Sequence, residues 1–315
     1  MTPPLVSILI PTYNRAVYLR ECLHSALAQS YDAIEILILD DASTDNTPGV
    51  VKDFVDDPRV RYIRHEQNVG IVKNWRAGIE ACSGDYFCFL HDDDTFEPTF
   101  IEKLVQPMIM DSSLIFTFCD HWLMDTEGKR LPIETDSASR AFKRNLLFQG
   151  RMEDWAFAAL VDQSMPVGAT LFRRSIIELD FIDPRARDAI DIWLFYECAR
   201  LNLPVYYLQD RLMNYRLHPG GMSQKVNPSM EEGHIFRCTQ VLADEHMSFL
   251  HRHIRLQLAA ALGRNGFFLL KNGDHRSARL SLRRSMALNR SNRTYLTYAL
   301  ACGGALGTKV AKTIQ

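Results

Sequence analysis

Short runs of β-branched and aliphatic residues alternate along the first half of the chain with segments whose apolar positions recur at helical spacing. Residues 6–10 predict a strand that Pro11 stops. Across residues 16–29, Val17, Leu19, Leu23 and Ala26 fall near one face of an amphipathic helix. A second strand is predicted at 35–39, a polar turn at 41–46, a helix at 47–54 and a third strand at 60–63. A helix at 72–81, a fourth strand at 85–90 and a fifth at 114–118 continue the pattern. Such alternation is the signature of βαβ units and predicts an α/β domain on a mostly parallel sheet.

The regularity then fades. Residues 122–149 are polar, include Gly128 and Pro132, and predict a mobile loop over a site. A second α/β stretch at 169–214 carries a helix at 189–201 and a strand at 205–208. Beyond Pro228 the chain reads as all-helical, with segments at 231–250, 254–272 and 277–288. The break at Asn272, Gly273 and Asp274 resembles the turn of one tetratricopeptide-like repeat, and one unit establishes no array. Residues 295–306 are apolar but fall short of the roughly 20 residues a bilayer span needs.

Composition places the 315 residues in the ordinary globular range, with 47% apolar and 23% charged residues. Seven scattered cysteines form no C-x-x-C pair, which argues against zinc and for a reducing, cytoplasmic compartment. Residues 1–10 lack the basic segment and long apolar run of an export signal. Charge changes the picture more. From Lys225 onward there are 14 Lys/Arg against 5 Asp/Glu, a balance of +9, so the remainder carries −11 of the overall −2. A basic tail of this kind meets a polyanion, an anionic lipid surface or the acidic domain itself. The expected division is therefore a catalytic domain over 1–224 and a basic helical region over 225–315.

In open α/β sheets ligands bind beyond the carboxyl ends of the strands. Three predicted strand ends are rich in polar chemistry here: Pro11, Thr12, Tyr13, Asn14 and Arg15 after the first, Asp40, Asp41, Ala42 and Ser43 after the second, and His91, Asp92, Asp93 and Asp94 after the fourth. An acidic pair alone reads as a helix cap or a solvated turn. Three adjacent carboxylates raise one another's pKa, a cost that a bound divalent cation relieves. Oxygen ligands in small number suit Mg²⁺ or Mn²⁺ carrying a diphosphate.

The order of these motifs, together with Asn68, Val69 and Gly70, resembles family 2 glycosyltransferases of the GT-A fold. The resemblance is specific over residues 5–100 and looser to about 224. It implies a Rossmann-like nucleotide-diphospho-sugar transferase fold with a C-terminal helical extension, and an inverting transfer from a nucleotide diphosphate sugar, UDP-linked by family habit, to a glycan or lipid-linked acceptor. Pro11, Thr12, Tyr13, Arg15, Asp40, Asp41 and Lys73 map onto the nucleotide site. The D-x-D-type motif maps onto Asp92, Asp93 and Asp94, with the ribose near Asp93 and the metal, Mn²⁺ or Mg²⁺, near Asp94. His91 departs from the commoner wording of that motif. The family's general base maps onto Asp191, with Asp188 in reserve, where Ile190 replaces the usual Glu. Arg216 and His218 map onto a tail that approaches the diphosphate, His218 either as a metal ligand or to neutralise the leaving group. The same resemblance implies polysaccharide or surface-glycan synthesis with no nucleic-acid partner, while the basic tail predicts peripheral attachment to the cytoplasmic face of an anionic membrane.

Other classes fit less well. A receiver-type signalling domain places its acidic pair after the first strand, whereas Asp40 and Asp41 follow the second. A sugar nucleotidyltransferase needs a Gly-rich, basic loop after the first strand, and residues 11–15 contain no glycine. A catalytically silent nucleotide-binding scaffold remains as the third class.

Overall fold

The computed structural model describes residues 2–221 and 227–313. Among the described residues nine strands form one sheet: β1 (Val6–Thr12), β2 (Ile34–Asp40), β3 (Val60–Arg64), β4 (Tyr86–Phe89), β5 (Thr95–Phe96), β6 (Phe116–Met124), β7 (Gly150–Met152), β8 (Thr170–Arg173) and β9 (Val205–Arg216), in the order β3-β2-β1-β4-β8-β6-β9-β5 with β7 also on β9. The helices of this part are α1 (Ala16–Leu27), α2 (Thr47–Lys52), α3 (Ile71–Ala81), α4 (Phe100–Met110), α5 (Pro132–Ala141), α6 (Ala156–Leu160) and α7 (Ile190–Arg200).

The first four strands in sequence pair in parallel, as the β-branched runs predict. The rest makes the sheet mixed: β6 pairs in parallel with β9, and the short remaining ladders are antiparallel. β8 lies antiparallel to both β4 and β6, and β5 and β7 run antiparallel to β9. Strands buried on both faces read as plain apolar runs, so the pattern that reveals them carries no direction.

Residues 122–149 also differ from the expected loop. β6 continues to Met124 and α5 follows, begun by Pro132 in its first turn. The polar residues that hide the extension are satisfied internally: Asp120, 5% exposed, accepts a 2.8 Å hydrogen bond from Arg144 Nε. A register shift at Cys119, Asp120 and His121 lets β6 bend past β9, as a bulge does. α4 was hidden too, because Pro107 sits inside it.

Apolar burial holds the sheet to its helices. Leu19, Leu23 and Ala26 of α1 pack with Ile8, Ile10 and Ile36, and Trp75 of α3 stacks on Phe89 at 3.9 Å between ring centres. Each such side chain contributes about 1.5–3 kcal/mol. Close approach of α3 to β2 needs Gly78, where a Cβ would lie 2.3 Å from Leu39 Cδ1.

The chain divides into two compact units, residues 1–184 with 194–224, and 185–193 with 225–315. The expected boundary at 224/225 lies outside the described residues. The second unit holds α8 (Pro228–Ala243), α9 (His251–Lys271), α10 (His275–Leu288), α11 (Asn292–Cys302) and α12 (Gly304–Thr313). The helix expected over 231–250 breaks at Asp244, whose side chain accepts from the His246 amide and starts a 3₁₀ turn. The turn between α9 and α10 is the one the sequence marks: Gly273 takes φ +82° and Asp274 caps α10 through the Ser277 amide. Among the described residues no helix is long and apolar enough to cross a membrane.

Candidate active site

Parallel pairing brings the carboxyl ends of β1, β2 and β4 side by side, with Thr12 opposite Asp40 and Leu90 N bonded to Leu9 O. The three polar strand ends therefore share one edge. Asp40 is fully buried and accepts from the Ser43 amide at 2.8 Å and from the Tyr62 hydroxyl at 2.5 Å, with Arg64 Nε 3.4 Å away. Burial and this hydrogen bond raise the Tyr62 phenol well above its ordinary value, so it stays a donor. Asp41 receives the Val69 and Gly70 amides at 2.6 and 2.9 Å, which fixes the loop entering α3.

Backbone strain accompanies these bonds. Asn14 and Ala42 both take positive φ, +54° and +61°. For the alanine this conformation costs about 1–2 kcal/mol. The two strained turns are tied together, since the Asn14 amide donates to Ser43 Oγ at 3.0 Å and Asn14 Oδ1 accepts from the Thr44 amide at 2.7 Å.

The acidic trio closes β4. Burial and the charge of Asp93 push the Asp92 and Asp94 carboxyls well above the usual carboxylate range. Asp94, 1% exposed, accepts from the Arg216 amide through Oδ1, while its Oδ2 has no hydrogen-bond partner. His91 Nδ1 lies 3.5 Å from that oxygen, at the limit of a hydrogen bond and without its geometry. Burial works against charge on His91, but the Asp94 carboxylate and its two neighbours outweigh it and raise the imidazole to about 9. Thr12 Oγ1, 3% exposed at the end of β1, makes no hydrogen bond of full geometry but lies beside the Asp92 carboxyl and partly offsets its rise. Buried oxygens short of full hydrogen bonding are costly, and their concentration beside three carboxylates fits a site completed by a cation and a polar ligand. Among the described residues no three His, Cys, Asp or Glu side chains converge to cage a metal. A cation at Asp94 would draw its remaining ligands from a diphosphate and water, as Mg²⁺ and Mn²⁺ do.

Asp93 points to the other side of the trio. Its Oδ2 lies 3.1 Å from Arg15 Nη1 and 2.8 Å from His218 Nε2, and those two nitrogens are 2.7 Å apart. The His218 tautomer decides whether Nε2 donates to Asp93 or accepts from Arg15. Arg15 Nη2 also donates to Gly220 O at 2.7 Å, so one guanidinium pins residues 218–220 against the first loop.

Arg216 is a strut. Its Nε donates to Asp93 O at 2.8 Å, Nη2 to Glu21 Oε2 at 2.6 Å, and Nη1 to the carbonyls of Asp125 and Thr126. Its guanidinium also lies 4.9 Å from the Tyr18 ring centre. Of the remaining expected residues, Pro11 belongs to β1, Tyr13 is 46% exposed, and Lys73 is exposed in the first turn of α3. Asp191 is exposed in the first turn of α7 and belongs to the unit that contains residues 185–193. Of the expected tail, Met222 and Ser223 lie outside the described residues.

Sequence reasoning missed Tyr62, Arg64 and Glu21. The first two had a signal: the period of two in β3 puts both on one face, with Arg64 registered opposite Asp40. Glu21 had none, because α1 offers no pattern that tells a strut's partner from a solvated carboxylate.

Comparison with known proteins agrees with this geometry. The chain is 25% identical over 269 residues to the putative glycosyltransferase EpsH of Bacillus subtilis, covering 82% of this chain and 72% of that protein. An uncharacterized glycosyltransferase of Rickettsia felis is 31% identical over 73% of this chain, which spans only 37% of it. Among solved structures, S. aureus TarS 1-349 in complex with UDP-GlcNAc superimposes with a TM-score of 0.64 at 18% identity, over 98% of this chain and 90% of that one. The mannosyltransferase PcManGT of Pyrobaculum calidifontis, in complex with GDP-Man and Mn²⁺, gives 0.58 at 15% identity over 99% and 87%. These likenesses show the GT-A fold. The family model described as Glycosyl transferase family 2 matches residues 7–178, more than half of the chain, and the chain belongs to that family.

Proposed function

We propose that this glycosyltransferase is inverting and divalent-metal-dependent, moving a sugar from a nucleotide diphosphate sugar, UDP-linked, to an acceptor hydroxyl in surface-glycan or polysaccharide synthesis. The observation that carries the metal is Asp94 Oδ2, buried beside two further carboxylates with only the His91 imidazole, 3.5 Å away, to offset its charge. The nucleotide complexes of TarS and the Mn²⁺ complex of PcManGT support the same reading. The likeness to EpsH and to the chondroitin synthase of Escherichia coli, 36% identical over 126 residues, favours a polysaccharide product.

In this reading Pro11, Thr12, Tyr13, Arg15, Asp40, Asp41 and Lys73 hold the base and ribose, joined by Asp92 and Asp93. Asp94, with His218 if it leaves Asp93, holds Mn²⁺ or Mg²⁺, which supplies Lewis-acid neutralisation of the departing diphosphate. Arg216 supplies positive charge near that diphosphate, and His218, where it does not ligate the metal, donates a hydrogen bond to it. Asp191 accepts the acceptor's proton on a carboxylate oxygen as the hydroxyl attacks the anomeric carbon from the face opposite the nucleotide. Catalysis runs from residues 1–224 on the cytoplasmic side of the membrane, with residues 225–315 as the attachment.

A thermal-shift screen of nucleotide sugars with and without Mn²⁺ tests the donor, because a ligand bound by the native state raises its stability. NMR of the product then reads the anomeric configuration. Inversion supports the proposal, and retention overturns it. Tight binding with no transfer, unchanged in Asp191→Asn, favours the silent scaffold instead.

A further inference from the structure

The helical unit carries a surface that its own packing leaves unexplained. From residue 246 to 313 there are 12 Lys/Arg against one acidic residue, Asp274, and that carboxylate is occupied in capping α10. α10 buries Ala278, Ser281, Leu282 and Ser285 on its inner face. The opposite face presents Arg276, Leu280, Arg283 and Arg284, all exposed, and Leu280 is 63% exposed at the middle of that stripe. The i, i+4 spacing stacks Arg276, Leu280 and Arg284 in one row.

α11 continues the surface with the same chemistry. It buries Thr294, Thr297 and Ala301 and exposes Arg293, Tyr295 and Leu296, the last at 61%. Arg283 Nε reaches the Tyr298 hydroxyl at 2.7 Å and Arg279 Nη1 the Ala301 carbonyl at 3.1 Å, so the exposed faces of α10 and α11 adjoin. Between residues 275 and 302 there is no Asp or Glu to pair with these arginines.

We propose that the α10–α11 face binds an anionic lipid bilayer, with Leu280 and Leu296 entering the interface and the arginines meeting lipid phosphates. Charge complementarity selects this occupant. A second copy of the chain would oppose arginine to arginine, whereas an anionic bilayer pairs every one and takes up the leucines and Tyr295 at the headgroup boundary. The proposal rests on the reading of residues 225–315 as the attachment, to which it assigns a face and a ligand, and it is independent of the transfer chemistry.

The test is flotation of the full chain with phosphatidylcholine vesicles, and with vesicles in which about a third of the lipid is phosphatidylglycerol. Each basic residue near an anionic surface contributes about fivefold to the partition coefficient, so Arg276→Gln with Arg284→Gln lowers it about 30-fold. Leu280→Ser alone lowers it severalfold and leaves the salt dependence unchanged. Nucleotide binding and the thermal transition, measured on the same variants, stay at their original values. No association of the intact chain with anionic vesicles overturns the proposal, as does binding that ignores lipid charge or both variants. Self-association abolished by Leu280→Ser, without vesicle binding, overturns it in favour of a second copy. Loss of vesicle binding with intact nucleotide binding leaves the transfer reading standing.

Discussion

Asp93 and His218 meet at 2.8 Å although 125 positions separate them, and Arg15 Nη1 lies within 3.1 Å of the carboxylate and 2.7 Å of the imidazole. The first loop, the acidic trio and the chain following β9 are thus fastened by one guanidinium. Charge-assisted hydrogen bonds of this kind contribute about 1.5–3 kcal/mol each. Arg15→Ala is expected to weaken nucleotide diphosphate binding by about 10- to 100-fold, and to make residues 217–221 susceptible to limited proteolysis. Isothermal titration and a protease time course read the two effects. An unchanged digestion pattern would show that Gly220 is held by something other than Arg15.

The raised Asp92 and Asp94 carboxyls set a sign for pH. A carboxyl whose folded pKa lies above its unfolded value binds more protons when folded, so its ionisation removes stability as pH rises from the ordinary carboxylate range. A divalent cation prefers the ionised pair and restores what was lost. The increase in melting temperature on adding Mn²⁺ is therefore expected to be small near pH 5 and to grow toward about pH 8. Scanning calorimetry with Mn²⁺ or chelator across that range checks it, and a shift that shrinks with rising pH contradicts it.

Ala42 holds φ +61° at the end of β2, a conformation that suits glycine. Ala42→Gly is expected to stabilise the fold by up to about 1 kcal/mol, because relief of the strain exceeds the added entropy of the unfolded chain. Equilibrium denaturation measures it. Destabilisation would mean that the methyl group, not the backbone, matters there.

Separation of roles is the next expectation. Asp191→Asn keeps nucleotide affinity and lowers the transfer rate by about 10²–10⁴, the usual contribution of a general base. Steady-state kinetics beside a binding isotherm distinguish this from a folding defect. Asp188→Asn serves as the control, with little effect on rate if Asp191 is the base.

Much of this architecture was legible in the chain because β1, β2 and β4 are buried runs with polar residues immediately beyond them. Three adjacent carboxylates at the third of those ends stand out for the same reason. The direction of β8 was not legible, since Thr170–Arg173 has no feature that separates a parallel from an antiparallel neighbour. Nor were the partners of Arg216: an arginine approaching a diphosphate and one spanning Asp93 O and Glu21 read alike in sequence. The extension of β6 was masked by Asp120, whose charge is admissible in a strand only because Arg144 is buried beside it. Long-range pairings of this sort appear only once the fold brings both partners together.

Calorimetric titration of UDP into the protein and its Asp94→Asn variant, each with Mn²⁺ and with chelator, addresses the centre of the account. The predicted result is tight binding by the original protein with Mn²⁺ only, and weak binding by the variant whether or not the metal is present. Equal affinity in all four combinations would contradict it.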